Sequence, residues 1–561
     1  MSSSKIGRWR AAAPVVVCAL VATGLFAAPA RAASGGSGGS GAGTAAATKN
    51  PDCDPETGRV KFPSLAAPLC VKEWKDGADN GGKTAQGVTK DTIKVVVLYT
   101  DVVQDERSPA TLYRNQATGT FSNQRDTIID ADALYAHAYE TWGRKVEYEF
   151  VKGSGADETA QRADAIAVAS KKPFAVFDAA IQGGNQSTGG LIFETVVGQK
   201  GVPLVLGAAG APPRPPKDVS HGVAANVAEF AGKSLVGKKA EYGGDAVKDE
   251  TRSFGILYQG GDQGFDIDYF KTEFAKYGGK LAPNGEAEFT FPPGTSQADA
   301  TSLAQQQMPT LMARLKDSGV TTIIEVLDAR YGMRPGMLAA TSAEYFPEWL
   351  IGSGGPSGGG AFPGDLPILV RAADKQQMAH AFGLLGLPPY VATQTASNPF
   401  QWFWGSNKGS LWSGAQAMVG AMYSRIHLAG PDLTAAKMKP GALPSKPAGG
   451  QFSNSVLTPA TGYDKDGNPI IDATLGWWST DTTGFDPATR AEGEGVYMYL
   501  DGAKRYAPGS FPKNKKGFFD KSLTTTVFGF AERPASEPVL PDYPCTGCPS
   551  QGGASPAPSQ L

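Results

Sequence analysis

The chain has 561 residues, 52 basic and 54 acidic side chains, and a formal net charge of −2. This length exceeds the roughly 100–200 residues of a single domain, so we expect two lobes with separate cores. The balanced charge, with no block of lysines or arginines outside the first residues, argues against a nucleic-acid partner, which requires a basic surface. The histidines number only 4 and none are at metal-ligand spacing, so we expect no metal and no cofactor.

Residues 1–32 have the order of a secretory signal peptide: basic side chains, an apolar run and an Ala-Arg-Ala cleavage pattern. A retained membrane anchor is the alternative, because the apolar run approaches the roughly 20 residues that span a bilayer. Cys18 is preceded by valines rather than by a lipidation motif. We therefore expect an exported protein, extracellular or associated with the cell envelope, without a lipid anchor.

A Gly/Ser/Ala tract at 33–50 is too poor in apolar residues to fold, so it is predicted to be a flexible linker. The extension that follows, 51–85, contains Cys53 and Cys70, and the chain ends with Cys545 and Cys548. An even number of cysteines in an exported chain predicts disulfides. The spacing favours Cys53–Cys70 and Cys545–Cys548, with cross-pairing of the two termini as the alternative.

Cys545 and Cys548 also have the C-x-x-C spacing of redox and zinc sites. They lie between Pro544 and Pro549, with no predicted strand before them and no predicted helix after them. This setting favours a local disulfide over a redox or metal site.

From Thr92 onward, short β-branched runs alternate with longer helical stretches, a pattern typical of a parallel sheet with helices on both faces. The proline-rich segment 211–216 interrupts this pattern, because proline ends both helices and sheet ladders, and the chain is predicted to cross to a second lobe there. In chain order, the predicted elements before this segment are a strand at 93–98, a helix at 125–142, a strand at 146–151, a helix at 157–170, a strand at 174–177, a helix at 191–197 and a strand at 202–206.

The same alternation restarts after the proline-rich segment. The Gly/Pro-rich segment 353–364 predicts a second crossover, and the tail after Pro534 is predicted to be disordered. The predicted elements are strands at 254–258, 288–291, 321–327 and 349–351, with helices at 265–277, 298–318, 335–342 and 415–427. We assign 86–211 and 365–440 to lobe 1, 212–364 and 441–515 to lobe 2, and 516–561 to a C-terminal tail.

In open parallel sheets, ligands bind in the crevice at the carboxyl ends of the strands. The loops there supply small residues, which let a ligand approach backbone amides, and polar residues, which can pair with charged groups. Tight turns are the alternative role for the small residues, and helix capping is the alternative for the acids. The predicted ligand-binding residues are Asp101, Gln104, Asp178, Ala179, Ala180, Gly207, Ala208, Ala209, Gln259, Asp262, Gln263 and Asp328.

Two further sets of residues leave alternatives open. The aromatic residues at 402–404 and Trp412 are candidates for a cleft wall or for core packing. Residues 355–359 match the pattern around the nucleophilic serine of hydrolases, with Ser357 in the central place, but no helix is predicted after them. We therefore predict no catalytic residue, and we expect the chain not to be an enzyme.

Several stretches carry a resemblance to a known family. They are Gly87–Val95 at the first strand, Cys53–Arg59 and Ala67–Cys70 before it, and Gly493–Tyr499 and Lys504–Gly509 near the end. In order and spacing they resemble the type I periplasmic solute-binding proteins of ABC importers, in the branched-chain amino-acid or leucine-binding branch and specifically its high-GC Gram-positive members. The resemblance implies a two-lobe α/β fold, with a mostly parallel sheet flanked by helices in each lobe, hinge crossovers and a membrane permease as partner.

We therefore expect a monomeric, extracytoplasmic protein that captures a small polar solute, amino-acid-like or related, between its two lobes for ABC-type import. The segment Tyr99–Gln104 differs from the Pro-Leu-Thr-Gly-like loop of the amino-acid-binding members, so the resemblance does not identify the ligand. The alternatives are a secreted α/β hydrolase and a ligand-sensing protein that uses the same fold.

Overall fold

The computed structural model describes the greater part of the chain. The described residues are 39–99, 121–155, 157–180, 190–207, 216–261, 264–290, 292, 297–327, 332–352, 370–371, 373–386, 399–406, 413–464, 467–486, 491–525 and 537–554. Among the helices in these ranges, none combines the length and the apolar character that crossing a membrane requires.

A small hairpin precedes the two large sheets. Strand β1 (Cys53–Asp54) pairs antiparallel with strand β2 (Arg59–Val60). Cys70 lies beside this hairpin, with its sulfur atom at disulfide distance from that of Cys53 and the two Cα atoms 5.5 Å apart. Val60 and Phe62 are buried in the core of the first large sheet, so the N-terminal extension is packed onto that sheet.

Parallel strands form the first large sheet. They are β3 (Thr92–Tyr99), β4 (Lys145–Lys152), β5 (Ala175–Asp178) and β6 (Leu204–Leu206). Their order across the sheet is β4-β3-β5-β6. The middle of β3 is a run of valines that is completely buried, as expected for a parallel strand covered on both faces.

The second large sheet is mixed. Its strands are β7 (Phe254–Gln259), β8 (Leu281–Phe289), β9 (Thr322–Glu325), β10 (Glu348–Ile351), β11 (Ala381–Leu385), β12 (Thr474–Asp486), β13 (Ala491–Leu500) and β14 (Thr524–Thr525). Their order is β14-β13-β12-β11-β10-β9-β7-β8. Strands β7 to β11 are parallel, whereas β12, β13 and β14 pair antiparallel and extend the sheet on one side.

Helices connect most of these strands. They are α1 (Phe121–Ala138), α2 (Glu158–Ser170), α3 (Gly190–Gln199), α4 (Pro216–Ser234), α5 (Ile267–Ala275), α6 (Gln297–Asp317), α7 (Arg334–Ser342), α8 (Lys375–Met378), α9 (Pro399–Trp404) and α10 (Ser413–Ala429). Among the described helices, α2, α5 and α8 begin with a side-chain cap. Asp157 accepts a hydrogen bond from the Ala160 amide at the start of α2, and Asp266 accepts one from the Tyr269 amide at the start of α5.

Alternate residues of each central strand face opposite layers of helices. In the first sheet, Val95 and Val97 pack with residues of α1 and α10, including Leu134 and Tyr423. Val96 faces the other layer, which α2 and α3 supply. This period of two is the expected consequence of strand geometry, and it buries both faces of the sheet.

The second sheet is covered in the same way. Ile323 of β9 and Trp349 of β10 pack with α6 and α7, where Met308 is completely buried. Ile324 and Leu350, the next residues of the two strands, face α4 and α5. Each sheet therefore has its own core, as expected for two lobes.

The chain passes between the sheets at the carboxyl edges of their parallel strands. Strand β6 ends at Leu206, and the next described helix, α4, packs on the second sheet. Strand β11 ends at Leu385, and the chain then returns to α10, which packs on the first sheet. Leu385 pairs with Thr474, the first residue of β12, so the chain re-enters the second sheet at the same edge. Each passage therefore starts or ends at a carboxyl edge, where ligand crevices of such sheets form.

The α/β class with parallel sheets is confirmed, and most predicted strands and helices match observed ones within a few residues. The strand predicted at 288–291 begins much earlier, at Leu281. The turn-forming residues Asn284 and Gly285 concealed its first half, because Asn284 has φ +58° inside the strand. The register between β7 and β8 shifts at this irregularity.

Residues 365–440 were assigned to lobe 1, but β11 within that range lies in the second sheet, between β10 and β12. No strand was predicted at the run Ala-Phe-Gly-Leu-Leu, and these residues alone do not indicate which sheet the strand joins. The long β12–β13 hairpin was not predicted at all. Its strands carry Gly476, Gly484, Gly493 and Gly495, which are typical of turns and weaken a strand pattern.

Two segments predicted to be unstructured are folded where the structure describes them. In the predicted flexible linker, Ser40 is buried and donates a hydrogen bond to the Leu428 carbonyl at 2.6 Å, and Ala47 is completely buried. In the predicted disordered tail, Glu537 is buried and accepts hydrogen bonds from the Ser455 hydroxyl and from backbone amides beside it. Both predictions are wrong for these residues, because polar groups anchor the segments to cores formed by other parts of the chain.

Candidate functional site

The structure brings together only some of the predicted ligand-binding residues. Asp178, Ala179, Ala180 and Gly207 lie at the carboxyl edge of the first sheet, where β5 and β6 end. Gln259 is the last residue of β7 in the second sheet. The remaining predicted residues lie outside the described residues: Asp101, Gln104, Ala208, Ala209, Asp262, Gln263 and Asp328.

Asp178 is the last residue of β5 and pairs in register with Leu98 of β3. Its side chain is buried, with 7% of its surface exposed. The Ala180 amide donates to Asp178 Oδ1 at 3.1 Å, and the Ala179 amide donates to the Leu98 carbonyl at 2.9 Å. Both backbone donors predicted to face a ligand are therefore already bonded within the protein. The carboxyl group of Asp178 is therefore the group of this turn that can interact with a ligand.

A second carboxyl group, which sequence analysis missed, lies beside this turn. Glu194 is in α3 and is also buried. Gly207, which follows β6, packs against Glu194 Oε1 so closely that an added Cβ would collide with the carboxyl group. The signal in the sequence was a single acid within the apolar run Leu-Ile-Phe-Glu-Thr-Val-Val, whose residue Phe193 is buried.

Burial raises the pKa of both carboxyl groups. For Asp178, the Ala180 amide offsets part of this increase. For Glu194, the charge of Asp178 raises the pKa further. No lysine, arginine or histidine among the described residues lowers the pKa of either group.

Two interacting carboxyl groups in a buried place cannot both be charged without a large cost in free energy, so they titrate as a pair and not as independent acids. The pair therefore retains a proton to higher pH than an exposed acid does. A cation that replaces this proton would restore neutrality. This arrangement suits the ammonium group of a ligand, because a charge-assisted hydrogen bond gains strength where water is excluded.

Acidic residues also lie at the carboxyl edge of the second sheet. Glu325 ends β9, is completely buried, and accepts a hydrogen bond from the Leu327 amide at 2.9 Å. Glu288, near the end of β8, packs against Gly260, which follows Gln259. Burial, and then the charge of Glu288, raises the pKa of Tyr258 in β7 to about 12. The carboxyl edges of both sheets thus carry acidic side chains.

A buried ion pair holds two passages of the chain together. The guanidinium of Arg505 is completely buried, and its Nη2 lies 2.8 Å from Asp472 Oδ1. The same Nη2 donates to the carbonyl of Gly386 at 2.7 Å. Gly386 directly follows β11, and Asp472 lies just before β12, so Arg505 links the exit from the second sheet to the return into it.

A groove beside the β12–β13 hairpin is less suited to a charged ligand. The guanidinium of Arg371, which lines the groove, already donates to the backbone carbonyls of Gly484, Gly493 and Gly495. The groove is lined by Val370, Arg371, Ala373, Lys375, Met378, Trp478, Thr480, Glu494 and Gly495.

The aromatic residues of α9 pack in the first lobe. Phe403 is buried in its core, and Trp402 Nε1 donates to the Tyr543 carbonyl at 2.7 Å. Core packing is therefore the observed role of this aromatic cluster. Trp412 and the serine motif around Ser357 lie outside the described residues.

No family model matches the chain, and no curated protein sequence matches it. Solved structures similar to it include a solute-binding protein of an ABC transporter from Rhodopseudomonas palustris HaA2 in complex with p-hydroxybenzoic acid, at 15% identity and a TM-score of 0.41, covering 74% of this chain and 98% of that one. Another is an ABC transporter substrate-binding protein from Desulfitobacterium hafniense in complex with Leu, at 12% identity and a TM-score of 0.35, covering 74% of this chain and 100% of that one. These similarities concern the fold alone.

Proposed function

We propose that the chain is an extracytoplasmic solute-binding protein that captures a small polar solute with a positively charged amino group for ABC-type import. The solute is amino-acid-like or related, and it binds between the carboxyl edges of the two sheets. The observation that carries this proposal is the buried pair Asp178 and Glu194 at one of these edges. The ammonium group of the solute takes the place of the proton that the pair holds.

The path of the chain supports a cleft at this position. The passages between the sheets start or end at the carboxyl edges, so the edges lie on the side where the lobes are joined. Gln259, Glu288 and Glu325 at the second edge supply polar groups for the opposite side of the solute. Contacts from both lobes favour the closed form, which removes water from the charged groups.

The signal-like residues 1–32 support export, and a membrane permease is the partner that import requires. A monomer suffices for this role, because the proposed site uses both sheets of one chain. Capture for sensing rather than import would use the same site and is distinguished by the partner.

Thermal unfolding of the mature chain with a panel of amino acids, amines, amides, aromatic acids and sugars tests the proposal. A ligand at 100 times its Kd stabilises the native state by about 2.7 kcal/mol, which raises the midpoint visibly. We expect the shift with amino-bearing solutes. Mass spectrometry of each compound after incubation checks that none is consumed.

Calorimetry of Asp178→Asn and Glu194→Gln then tests the site. Loss of a charge-assisted hydrogen bond worth about 1.5–3 kcal/mol weakens binding, so that the Kd rises by about 10- to 150-fold. Titrations in buffers of different ionisation enthalpy measure the number of protons that the solute displaces, and each variant, which removes one of the two interacting carboxyl groups, is expected to change this number. Asp132→Asn is the matched control, since Asp132 is another acid of the first lobe whose pKa is raised by burial, but its carboxyl group accepts hydrogen bonds from the hydroxyls of Tyr148 and Tyr423. Equal binding in all variants, or consumption of a solute, would refute the proposal.

A further inference from the structure

The fold brings a histidine onto the C-terminal cysteine pair. His137, in the last turn of α1, has its Nε2 at 3.3 Å from Cys548 Sγ and 3.8 Å from Cys545 Sγ. The three potential ligand atoms all lie within 4.8 Å of one another. His137 is separated from Cys548 by 411 positions in the sequence, so no spacing rule could have indicated this cluster.

These distances agree with those of a tetrahedral metal site. Zn–S bonds of about 2.3 Å and Zn–N bonds of about 2.0–2.1 Å, at tetrahedral angles, put nitrogen and sulfur about 3.6 Å apart. The two observed distances, 3.3 and 3.8 Å, lie on either side of this value. The two sulfur atoms lie at disulfide distance and must separate to about 3.8 Å when a metal binds.

The surrounding contacts keep the two cysteines and the histidine beside one another before any metal binds. Cys545 and Cys548 are buried in the core of the first lobe. Hydrogen bonds fix the chain on both sides of the two cysteines. The Ser550 hydroxyl donates to the Trp402 carbonyl at 2.6 Å, and the Trp402 indole donates to the Tyr543 carbonyl at 2.7 Å. The His137 ring packs against Phe403, with centroids 5.3 Å apart. His137 itself is exposed, so a fourth coordination position faces solvent.

A structural disulfide accounts poorly for this arrangement. The two cysteines are separated by only 3 positions, and so short a loop removes little entropy from the unfolded chain. Such a bond also needs no histidine. A metal held by all three residues joins the C-terminal segment to α1 and uses every group of the cluster.

We infer that the dithiol form of Cys545 and Cys548 binds one Zn²⁺ together with His137 Nε2. A dithiol reductant supplies two electrons and two protons, which break the Cys545–Cys548 bond and yield two thiols and the oxidised reductant. Both thiols then release their protons as their sulfur atoms bind the metal, while His137 binds through its neutral ring. A disulfide oxidant accepts the two electrons of the thiolates and, with two protons from solvent, becomes two thiols; the Cys545–Cys548 bond is restored and the zinc is released. This site is independent of the proposed solute site.

Cobalt(II) is the probe, because thiolate-bound tetrahedral Co²⁺ has intense charge-transfer and visible bands. The full mature chain, reduced with a phosphine, is expected to bind one equivalent of Co²⁺ that one equivalent of Zn²⁺ displaces. The oxidised chain is expected to show no charge-transfer band. A Cys545→Ser/Cys548→Ser variant keeps Cys53 and Cys70 and is expected to lose the band.

His137→Gln tests the third ligand. We expect at least a tenfold weaker affinity, since even the outer-shell partners of a metal contribute 10- to 100-fold. His221→Gln is the matched control, because His221 is also a partly exposed histidine, but it pairs with Asp266. Its affinity should equal that of the wild type. Protection of Cys545 and Cys548 from alkylation by Zn²⁺, measured on peptides by mass spectrometry, gives a second measurement that does not depend on spectra. No band and no protection in the reduced wild type, or equal affinity in His137→Gln, would overturn the inference.

Discussion

The imidazole of His427 links separate segments of the first lobe. Its Nδ1 accepts a hydrogen bond from the Glu140 amide at 2.9 Å, and its Nε2 donates to the Leu69 carbonyl at 3.1 Å. The neutral ring satisfies both partners, whereas a proton on Nδ1 would face the donor of Glu140. Burial lowers the pKa of His427 to about 4, although the Leu69 carbonyl offsets part of this decrease. Its protonation should therefore destabilise the fold.

The size of this effect follows from the two pKa values. The pKa is about 6.5 in an unfolded chain, and each unit is worth about 1.36 kcal/mol, so the difference amounts to about 3 kcal/mol. Between pH 6.5 and pH 4 the unfolded chain binds the proton and the folded chain does not. The free energy of unfolding therefore falls as the pH falls through this range, and the contribution of His427 is complete only above pH 6.5.

Asp132 in α1 has the opposite effect. Burial raises its pKa to about 6, and the hydroxyls of Tyr423 and Tyr148 offset only part of this increase. Between about pH 4 and pH 6 the folded chain holds a proton that the unfolded chain has lost, so stability falls as the pH rises, again by about 3 kcal/mol. In the wild type the two contributions nearly cancel over this range.

Urea unfolding of single variants from pH 4 to pH 7 separates the two contributions. Relative to the wild type, the free energy of unfolding of His427→Gln should decrease by about 3 kcal/mol as the pH rises over this range. That of Asp132→Asn should increase by a similar amount. Other titrating groups are common to all three proteins and cancel in these differences. Differences that do not change with pH would refute the assignment of both shifts to burial.

Two further predictions concern a buried ion pair and a glycine. Arg252→Met should lower the free energy of unfolding by about 3–5 kcal/mol, because it leaves the completely buried carboxylate of Glu348 without its charged partner. Lys239→Met removes one member of an exposed pair and should lower it by less than about 1 kcal/mol. Urea unfolding measures both effects. Gly207→Ala should weaken solute binding in calorimetry by displacing the Glu194 carboxyl group, whereas Gly198→Ala, whose added Cβ meets nothing, should leave binding unchanged.

The elements of the first sheet could be predicted because their signals are local. The valine run of β3 needs only its own residues to indicate a strand buried on both faces. Asp157 caps α2 at the position where the pattern placed the start of a helix. In contrast, β11 required knowledge of its neighbours, because an apolar run of five residues fits either sheet.

The candidate sites were predictable only in part. Asp178 was found because it directly follows an apolar strand, but its partner Glu194 lies on a helix whose packing no local pattern reveals. The approach of His137 to Cys545 joins residues 408 positions apart. Spacing rules detect ligands that share one loop or one helix, so they described the cysteine pair and missed the histidine.

Composition also misjudged the described segments near Ser40 and Glu537, for a physical reason that they share. A segment poor in apolar residues cannot form its own core, but it can bind to an existing one through a few buried polar groups. Glu537 is bonded to Ser455, next to Val456 in the core of the second sheet, whereas Cys548 lies in the core of the first. The segment from Glu537 to Cys548 therefore connects both lobes in addition to the passages of the chain. If the lobes close around a solute as proposed, the closed form either keeps this connection or breaks the hydrogen bonds of Glu537.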